Sequence, residues 1–249
     1  MTEGPVSVPG LAGLRHLTAA RIGLGRAGAS LATAPLMAFR LAHARARDAV
    51  HAALDVPDLL AGLPAPVLVV DSQAIDRRTY LMRPDLGRLL DPAAAAVLAP
   101  HAGPYDLAVA LGDGLSSQAV QRHAAPLLAV LLPALRAHGW TLAPLVVVRG
   151  ARVKVADAVA QALGAAAVLM LVGERPGLSA PDSLGAYLTW APGPTTTDAD
   201  RNCVSNIRPE GLPTAEAAFR IDHLLSQMRQ LRRSGVSIKD DSQAAPRIA

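Results

Sequence analysis

The stretch AAAVLMLVGERPG, residues 165–177, decides the fold class of this 249-residue chain. Its apolar run is far too short to cross a membrane, and it ends abruptly in Gly, Glu, Arg and Pro, as a buried strand does where it leaves a sheet. Three similar runs precede it: VLVVDS at 67–72, DLAVALGDG at 106–114 and APLVVVRG at 143–150. Each run is bounded by Gly or Pro, so the pattern predicts a set of buried strands.

Helical patterns separate these predicted strands. One extends over Ser116–His138, where Pro126 and Pro133 predict kinks or a break, and another covers Lys154–Leu163 and ends at Gly164. Connections of this length carry the chain back to start a parallel neighbour. The alternation therefore predicts an α/β fold, Rossmann-like, with a mainly parallel sheet flanked by helices on both faces.

The composition divides the chain into four segments. Residues 1–17 and 237–249 are rich in small and polar residues, and we expect both ends to be flexible. Residues 61–236 contain the predicted strands and form the α/β domain, which ends with a helix over Thr214–Arg233. Residues 18–60 form an N-terminal helical arm.

The arm contains one amphipathic helix, predicted to start at the capping residue Thr33 and to continue to about Asp55. Four basic side chains lie together beside its apolar arc: Arg40, His43, Arg47 and His51. They form either a solvated face or a surface that docks on an acidic partner, and the sequence alone leaves both interpretations open.

Composition excludes several classes of protein. The net charge is only +4, and no aromatic RNA-binding motif, zinc-ligand spacing or Lys-rich block accompanies it, so we expect no nucleic-acid partner. The single cysteine, Cys203, excludes an internal disulfide and a multi-thiolate metal site. Residues 1–20 lack the pattern of a signal peptide, and we expect a cytoplasmic protein that makes no use of a membrane.

The motif GLGRAG at 23–28 has the glycine spacing of a dinucleotide-binding loop. That loop needs a buried strand immediately before it and a helix immediately after it. The preceding residues HLTAARI make a poor strand, and the acidic residue at about the right distance, Asp48, falls inside the predicted helix. A nucleotide-dependent oxidoreductase is therefore disfavoured.

Ligands of open parallel sheets bind beyond the carboxyl ends of the strands. Three polar loops follow the predicted strands at that edge: GDGLSS at 112–117, RGARV at 149–153 and GERPGLSAPDS at 173–183. In the third loop we expect Glu174 to accept hydrogen bonds from a ligand. Arg175 serves either the ligand or an ion pair that ties the loop to the sheet.

A long polar connection, YLTWAPGPTTTDADRNCVSNIRPEGL at 187–212, follows these loops. Loops of this length inside a domain are usually functional. Cys203 lies in this connection, and no Cys–His pattern surrounds it, which favours a wall residue over a nucleophile. The histidines are scattered and have no metal-ligand spacing.

Several of these stretches together resemble one known family. ARIGLGRAGASLAT, RRTYLMRPDLGRLL, GDGLSSQAVQRHA, GERPGLSAPDSLGAYLTW and TDADRNCVSNIRPEG are similar, in collinear order, to the small (light) subunit of ethanolamine ammonia-lyase. The resemblance extends from about Leu17 to Arg233. It implies a subunit of an adenosylcobalamin-dependent lyase that converts ethanolamine to acetaldehyde and ammonia by radical chemistry.

The resemblance also implies a division of labour. A separate large subunit carries out catalysis, the small subunit closes over the nucleotide side of the cobalamin, and the two form a hetero-oligomer. The family's cobalamin contacts carry over to Val153, Glu174 and Cys203, which makes residues 61–236 a cobalamin-binding domain. No Asp-x-His-x-x-Gly motif is present, so we expect cobalt to keep its own base and this chain to supply no metal ligand. Residence in a bacterial microcompartment stays open, and the rival function is a non-enzymatic α/β binding or scaffold protein that recruits an acidic partner.

Overall fold

A six-stranded sheet forms the centre of the computed structural model, which describes residues 12–18, 20–64 and 66–242. A short hairpin precedes the sheet in the chain. The strands, in chain order, are β1 (Arg26–Ala27) and β2 (Ser30–Leu31) in the hairpin, then β3 (Val67–Asp71), β4 (Leu107–Gly112), β5 (Leu145–Arg149), β6 (Ala167–Gly173), β7 (Leu184–Trp190) and β8 (Arg201–Ile207) in the sheet.

The sheet is mixed, with the order β3-β5-β4-β6-β7-β8. β3, β5, β4 and β6 pair in parallel, whereas β7 pairs antiparallel with both β6 and β8. The prediction of an α/β sheet flanked by helices is confirmed, but the description "mainly parallel" holds only for the first four strands. The reason is that no α-helix lies between β6 and β7 or between β7 and β8, where the chain has only a 3-10 turn at Asp198–Asp200, and a parallel neighbour needs a longer crossover.

The helices supply the crossovers and cover both faces of the sheet. α5 connects β4 to β5, and α6 connects β5 to β6. The helices, in chain order, are α1 (Thr33–His51), α2 (Val56–Gly62), α3 (Arg77–Met82), α4 (Ala94–Leu98), α5 (Ser117–Ala137), α6 (Val155–Leu163) and α7 (Thr214–Leu231). No helix in the described ranges is both long enough and apolar enough to span a membrane.

Alternation along the central strand β4 builds two cores. Leu107, Val109 and Leu111 pack with α5 and α7 on one face, whereas Ala108 and Ala110 pack with α4 and α6 on the other. All five side chains are buried, because both faces of a parallel sheet are covered by helices. The small alanines on the α6 side leave room for that helix beside the sheet.

The break predicted at Pro126 or Pro133, in the helix that follows β4, is wrong. α5 continues from Ser117 to Ala137 with Pro126 and Pro133 inside it. Both prolines lie on the exposed side of the helix. The carbonyl groups that lose their usual hydrogen bond therefore remain accessible to water, which lowers the cost of a proline in a helix.

The long polar connection predicted at 187–212 contains two strands. Its start belongs to β7 and its middle is β8, which extends from Arg201 to Ile207. β8 is an edge strand in which Arg201, Val204 and Ile207 are buried and the residues between them are partly or fully exposed, so its sequence has the composition of a loop.

Three other expectations concern helix α1, the fold type and the ends of the chain. α1 starts at Thr33 but ends at His51, short of Asp55, and no side chain caps its start. The strand order differs from the 3-2-1-4-5-6 order of dinucleotide-binding sheets, and neither Rossmann-like character nor a separate N-terminal arm is confirmed. Both ends of the chain were expected to be flexible, and residues 1–11 and 243–249 of them lie outside the described residues. The boundaries between the four segments remain a prediction.

Candidate functional site at the C-terminal edge of the sheet

The loops that leave β4, β5 and β6 are tied to one another at one edge of the sheet. The Leu115 amide donates to the Gly173 carbonyl at 2.9 Å, and the Ala151 amide donates to Asp113 Oδ1 at 2.9 Å. Gly114 adopts a φ of +57°, and a Cβ at this position would collide with the backbone of Gly173. These close approaches fix the relative position of the three loops that the sequence singled out.

Between these loops lies a depression of about 460 Å³, here called the rim cleft. Val153 and Glu174, two of the residues predicted to contact the cofactor, both line it. Its other side-chain walls come from α3, from the loop after β4, from the loop after β5, from β6 and its loop, and from β7: Tyr80, Leu115, Arg152, Val172, Arg175 and Tyr187. The rim cleft therefore combines apolar and aromatic walls with one carboxylate.

The Glu174 carboxylate is held by its own surroundings. The Ser183 hydroxyl donates to Glu174 Oε2, and the backbone amide of Asn206 donates to the same oxygen at 3.2 Å. The Glu174 amide in turn donates to the Ser183 carbonyl at 2.9 Å. Both of these hydrogen bonds to the Glu174 side chain end on Oε2, and Oε1 accepts none from the described residues. Glu174 thus presents one positioned acceptor oxygen at the rim cleft.

Cys203, the third predicted residue, does not line the cleft itself and lies on β8. It pairs across the sheet with Tyr187, which does line the cleft, so the thiol and the phenol lie on the same face of the sheet. Desolvation raises the pKa of the Cys203 thiol, the Glu174 carboxylate raises it further, and the hydrogen bond with Tyr187 opposes the rise. Desolvation likewise raises the pKa of Tyr187, followed by the effects of Cys203 and Glu174. The thiol and the phenol both remain protonated at neutral pH, which suits a wall residue and excludes a resident thiolate nucleophile.

Tyr80 forms the other side of the rim cleft, and its ring lies between two guanidinium groups. Arg152 Cζ is 4.3 Å from the ring centroid, and Arg77 Cζ is 4.7 Å from it. The Tyr80 hydroxyl donates to the Ala151 carbonyl at 3.2 Å. Burial raises the pKa of Tyr80 to about 12, and the charge of Arg152 opposes this rise.

Arg77 connects this aromatic cluster to the ends of two other elements. It donates to the Val50 carbonyl at 2.6 Å, at the end of α1, and to the Gly114 carbonyl at 2.6 Å in the loop after β4. Its charge lies 3.7 Å from Asp113. Burial raises the pKa of Asp113, while the Ala151 amide and Arg77 lower it. Arg77 therefore holds α1 against the edge that carries the rim cleft.

A second depression, of about 470 Å³, lies beyond Arg77 at the same edge of the sheet. It is lined by four acidic side chains, each of which already accepts at least one hydrogen bond. Asp71 binds Arg149 through two hydrogen bonds at 2.5 and 2.6 Å, and Asp76 accepts from the Thr79 amide at 2.7 Å as the cap of α3. The rim cleft is the better candidate for a ligand, because two of the three predicted contact residues, Val153 and Glu174, line it.

The structure tests two further predictions about candidate residues. Arg175 is exposed and forms no ion pair with any described residue, which removes the interpretation that it ties the loop to the sheet. GLGRAG leads into the β1–β2 hairpin, and the described residues immediately before it, 20–22, form no strand. The oxidoreductase interpretation therefore fails. Among the described residues, no group of three or more His, Cys, Asp or Glu side chains is arranged to hold a metal ion.

The sequence analysis missed three residues of the rim cleft, namely Tyr80, Arg152 and Tyr187. Arg152 stood next to Val153 in the quoted loop RGARV. The two tyrosines carried a compositional signal, because the whole chain has only three. What the sequence could not supply was the pairing of β7 with β8, which brings Tyr187 next to Cys203.

A known protein family matches this chain over a range that includes the residues of the site. A family model described as "Ethanolamine ammonia-lyase light chain (EutC)" matches residues 9–239. The chain belongs to this family. A protein of Azotobacter vinelandii named ethanolamine ammonia-lyase small subunit is 53% identical over 93% of this chain and 88% of its own length. A protein of the same name from Bradyrhizobium diazoefficiens is 55% identical over 94% of this chain and 92% of its own length.

Membership of the ethanolamine ammonia-lyase light chain family confirms the resemblance read from the sequence. The matched range includes every loop at the edge of the sheet and all three predicted contact residues, Val153, Glu174 and Cys203. It also favours a lyase subunit over the rival scaffold function. The name of these relatives, small subunit, implies a larger partner chain.

Proposed function

We propose that this chain, a small subunit of ethanolamine ammonia-lyase, holds the nucleotide side of adenosylcobalamin in the rim cleft and assembles with the catalytic large subunit. One observation carries the proposal. Val153 and Glu174 line the same cleft, and Cys203 is the cross-strand partner of Tyr187, which also lines that cleft. Residues from three distant parts of the chain thus converge on the edge where ligands of such sheets bind.

The residues present fit the chemistry of this cofactor. Its nucleotide side offers a flat aromatic base, a ribose and amide groups, which require apolar walls and dispersed hydrogen-bond partners. Val153 and Tyr187 supply a wall, and Glu174 Oε1 is an acceptor without a donor among the described residues. When bound, adenosylcobalamin supplies the radical chemistry of the reaction.

This chain's own residues bind and orient. Ser183 and Asn206 fix the Glu174 carboxylate, so its acceptor oxygen needs little reorganisation when a hydroxyl or amide arrives. The protonated Cys203 and Tyr187 present a surface without a charge to a flat ligand. Nothing in this set calls for proton abstraction, so the substrate chemistry belongs to the large subunit.

Assembly with the large subunit is proposed to use α1. Ala49 is the one buried residue of this 19-residue helix, and Met37, Phe39 and Leu41 are exposed. A helix of this length with exposed large apolar side chains gains stability when a partner covers it. Arg40 and Arg47 on the same helix suit an acidic surface. We place the resulting hetero-oligomer in the cytoplasm, and residence in a microcompartment remains a question for localisation experiments.

Co-expression with the large subunit tests the function directly. The purified complex is expected to bind adenosylcobalamin and to release acetaldehyde and ammonia from ethanolamine, whereas the large subunit alone is expected to bind the cofactor more weakly. The comparison uses the same preparation with and without this chain. Equal cofactor affinity of the large subunit in both preparations would contradict a role of the rim cleft in cobalamin binding.

A further inference from the structure

A cluster of basic side chains lies on the other side of Val153. Arg88, Arg152 and Lys154 line a cavity of about 390 Å³, here called the basic cleft. Val153 and Arg152 line both this cavity and the rim cleft, so the two are neighbours. The acidic side chain of the basic cleft is Asp198, which is 91% exposed and lies 3.7 Å from the Arg201 guanidinium.

Arg152 is held in place before any ligand arrives. Its aliphatic stem passes over Gly87, where an added Cβ would lie 2.9 Å from Arg152 Cγ. Its guanidinium stacks on Tyr80, and Arg152 Nη2 donates to the Tyr80 carbonyl at 3.2 Å. The Arg152 amide donates to the Gly87 carbonyl at 2.7 Å. Contacts on both sides therefore restrict the rotamers of this side chain.

The charge of Arg152 has no counter-ion in the described part of the chain. The neighbouring Arg77 has Asp113 at 3.7 Å, whereas Arg152 forms no ion pair, and its buried Nε has no hydrogen-bond partner among the described residues. Lys154 Nζ donates to the neutral carbonyl of Thr196 at 2.9 Å. Arg88 is exposed and forms no ion pair with a described residue. A partly buried guanidinium with unused donors favours an anionic ligand.

We infer that Arg152 and Arg88 bind the phosphodiester of the cofactor's nucleotide tail. This inference rests on the proposed function, because it uses the placement of that tail at Val153. A phosphodiester carries one negative charge and two free oxygens, and a planar guanidinium donates to such oxygens in pairs. Arg152 is the fixed donor, and Arg88, at the exposed side of the basic cleft, adds long-range attraction. Lys154 stays engaged with the loop at 194–196 and supports the cleft wall.

Two corrinoids separate contacts to the nucleotide tail from contacts to the corrin, and the salt dependence of binding identifies the charged phosphodiester within the tail. Adenosylcobalamin carries the nucleotide with its phosphodiester, whereas adenosylcobinamide has the same corrin and adenosyl group but lacks phosphate, ribose and base. Affinities of the complex of both subunits for each corrinoid are measured by spectroscopic titration in low salt, with the unmodified chain and with the variants Arg152→Gln and Arg88→Gln. Arg78→Gln is the matched control, since Arg78 is exposed and lines neither cleft.

Loss of a charge-assisted hydrogen bond corresponds to a roughly tenfold or larger change in a binding constant. We therefore expect Arg152→Gln to weaken binding of adenosylcobalamin by at least roughly tenfold and Arg88→Gln by a few-fold, with a smaller difference at high salt. Binding of adenosylcobinamide should be unchanged in both variants. Arg78→Gln should leave both affinities unchanged.

Two results overturn the inference. One is unchanged adenosylcobalamin affinity in the folded Arg88→Gln and Arg152→Gln complexes. The other is an equal loss for both corrinoids, which would show that the variants disturb the cleft rather than a phosphate contact. Should Arg152→Gln fail to assemble, the exposed Arg88→Gln decides alone. If the unmodified complex does not bind adenosylcobalamin, the proposed function fails and the phosphate site fails with it.

Discussion

Arg201 binds Asp157 through two hydrogen bonds, from Nη1 to Oδ1 at 2.7 Å and from Nη2 to Oδ2 at 2.6 Å. Both side chains are buried, with 3% and 5% of their surfaces exposed. Arg201 begins β8, two residues before Cys203, and Asp157 lies in α6, four residues after Val153. One buried ion pair therefore ties together the two segments that carry two of the predicted cofactor contacts.

Breaking this pair should destabilise the chain strongly. Arg201→Met leaves the Asp157 carboxylate buried without its partner, and loss of one member of a buried pair costs about 3–5 kcal/mol. Urea unfolding of the full-length chain measures the change. Adding Asp157→Leu to the variant should recover most of the loss, because no buried charge then remains. The control Arg83→Met removes an exposed pair with Asp85 and should leave the unfolding midpoint unchanged. Equal effects of the two single variants would contradict the expected role of burial.

Replacing Glu174 tests the carboxylate of the rim cleft. We expect Glu174→Ala to weaken adenosylcobalamin binding to the assembled enzyme by roughly tenfold, since a hydrogen bond to a charged acceptor is lost. The subunit should remain folded, because Glu174 is only partly buried. Spectroscopic titration gives the affinity and gel filtration verifies assembly. Glu210→Ala is the control, since that carboxylate is 72% exposed and lies outside the cleft. An unchanged affinity in Glu174→Ala would remove this residue from the site.

Alkylation of Cys203 reports the electrostatics of the cleft wall. It is the only cysteine of the chain, so mass spectrometry follows one reaction. Because desolvation raises the pKa of the thiol, the rate of modification by iodoacetamide should rise with pH and reach its midpoint above 9.0, the ordinary value.

Two variants should shift that midpoint in opposite directions. Glu174→Gln removes a negative charge that raises the pKa of Cys203, so the midpoint should fall. Tyr187→Phe removes the hydrogen bond that lowers this pKa, so the midpoint should rise. A shift of both variants in the same direction would show that the carboxylate and the phenol do not act on the thiol as the structure indicates.

Charge reversal on α1 tests the proposed docking surface. The double variant Arg40→Glu/Arg47→Glu should reduce the fraction of this chain that co-purifies with the large subunit, because like charges then face an acidic partner. The control Arg136→Glu/Arg233→Glu changes the net charge equally at exposed positions of α5 and the segment after α7. Normal assembly of the α1 variant would mean that this basic face is merely solvated.

The central strands and their crossover helices were predictable because burial on both faces gives a strand a continuous apolar sequence. The runs at 67–72, 106–114, 143–150 and 165–177 all contain strands of the sheet. The loops at the edge followed from the same argument, since the end of each apolar run marks where a loop begins. Val153 and Glu174 could therefore be placed at one edge before the structure was known.

β7 and β8 were harder to predict, because neither the partner nor the direction of an edge strand is specified by its own composition. β8 keeps Arg201, Val204 and Ile207 buried and exposes Cys203 and Asn206, which in sequence resembles a loop. Helix α5 illustrates the opposite error. Its prolines predicted kinks or a break, yet the helix continues past both of them, and their side of the helix faces water.

The two walls of the rim cleft differ in how far their loops can change in length, because the chain reverses direction after β6. Residues 174–183 form the link of an antiparallel hairpin, so insertions near Gly177 would enlarge the mouth of the cleft without altering strand order. The wall at Val153 belongs to a parallel crossover, where a change of length would displace α6 from the sheet. Adaptation to a bulkier or smaller corrinoid is therefore expected on the hairpin side, while the opposite wall keeps its shape.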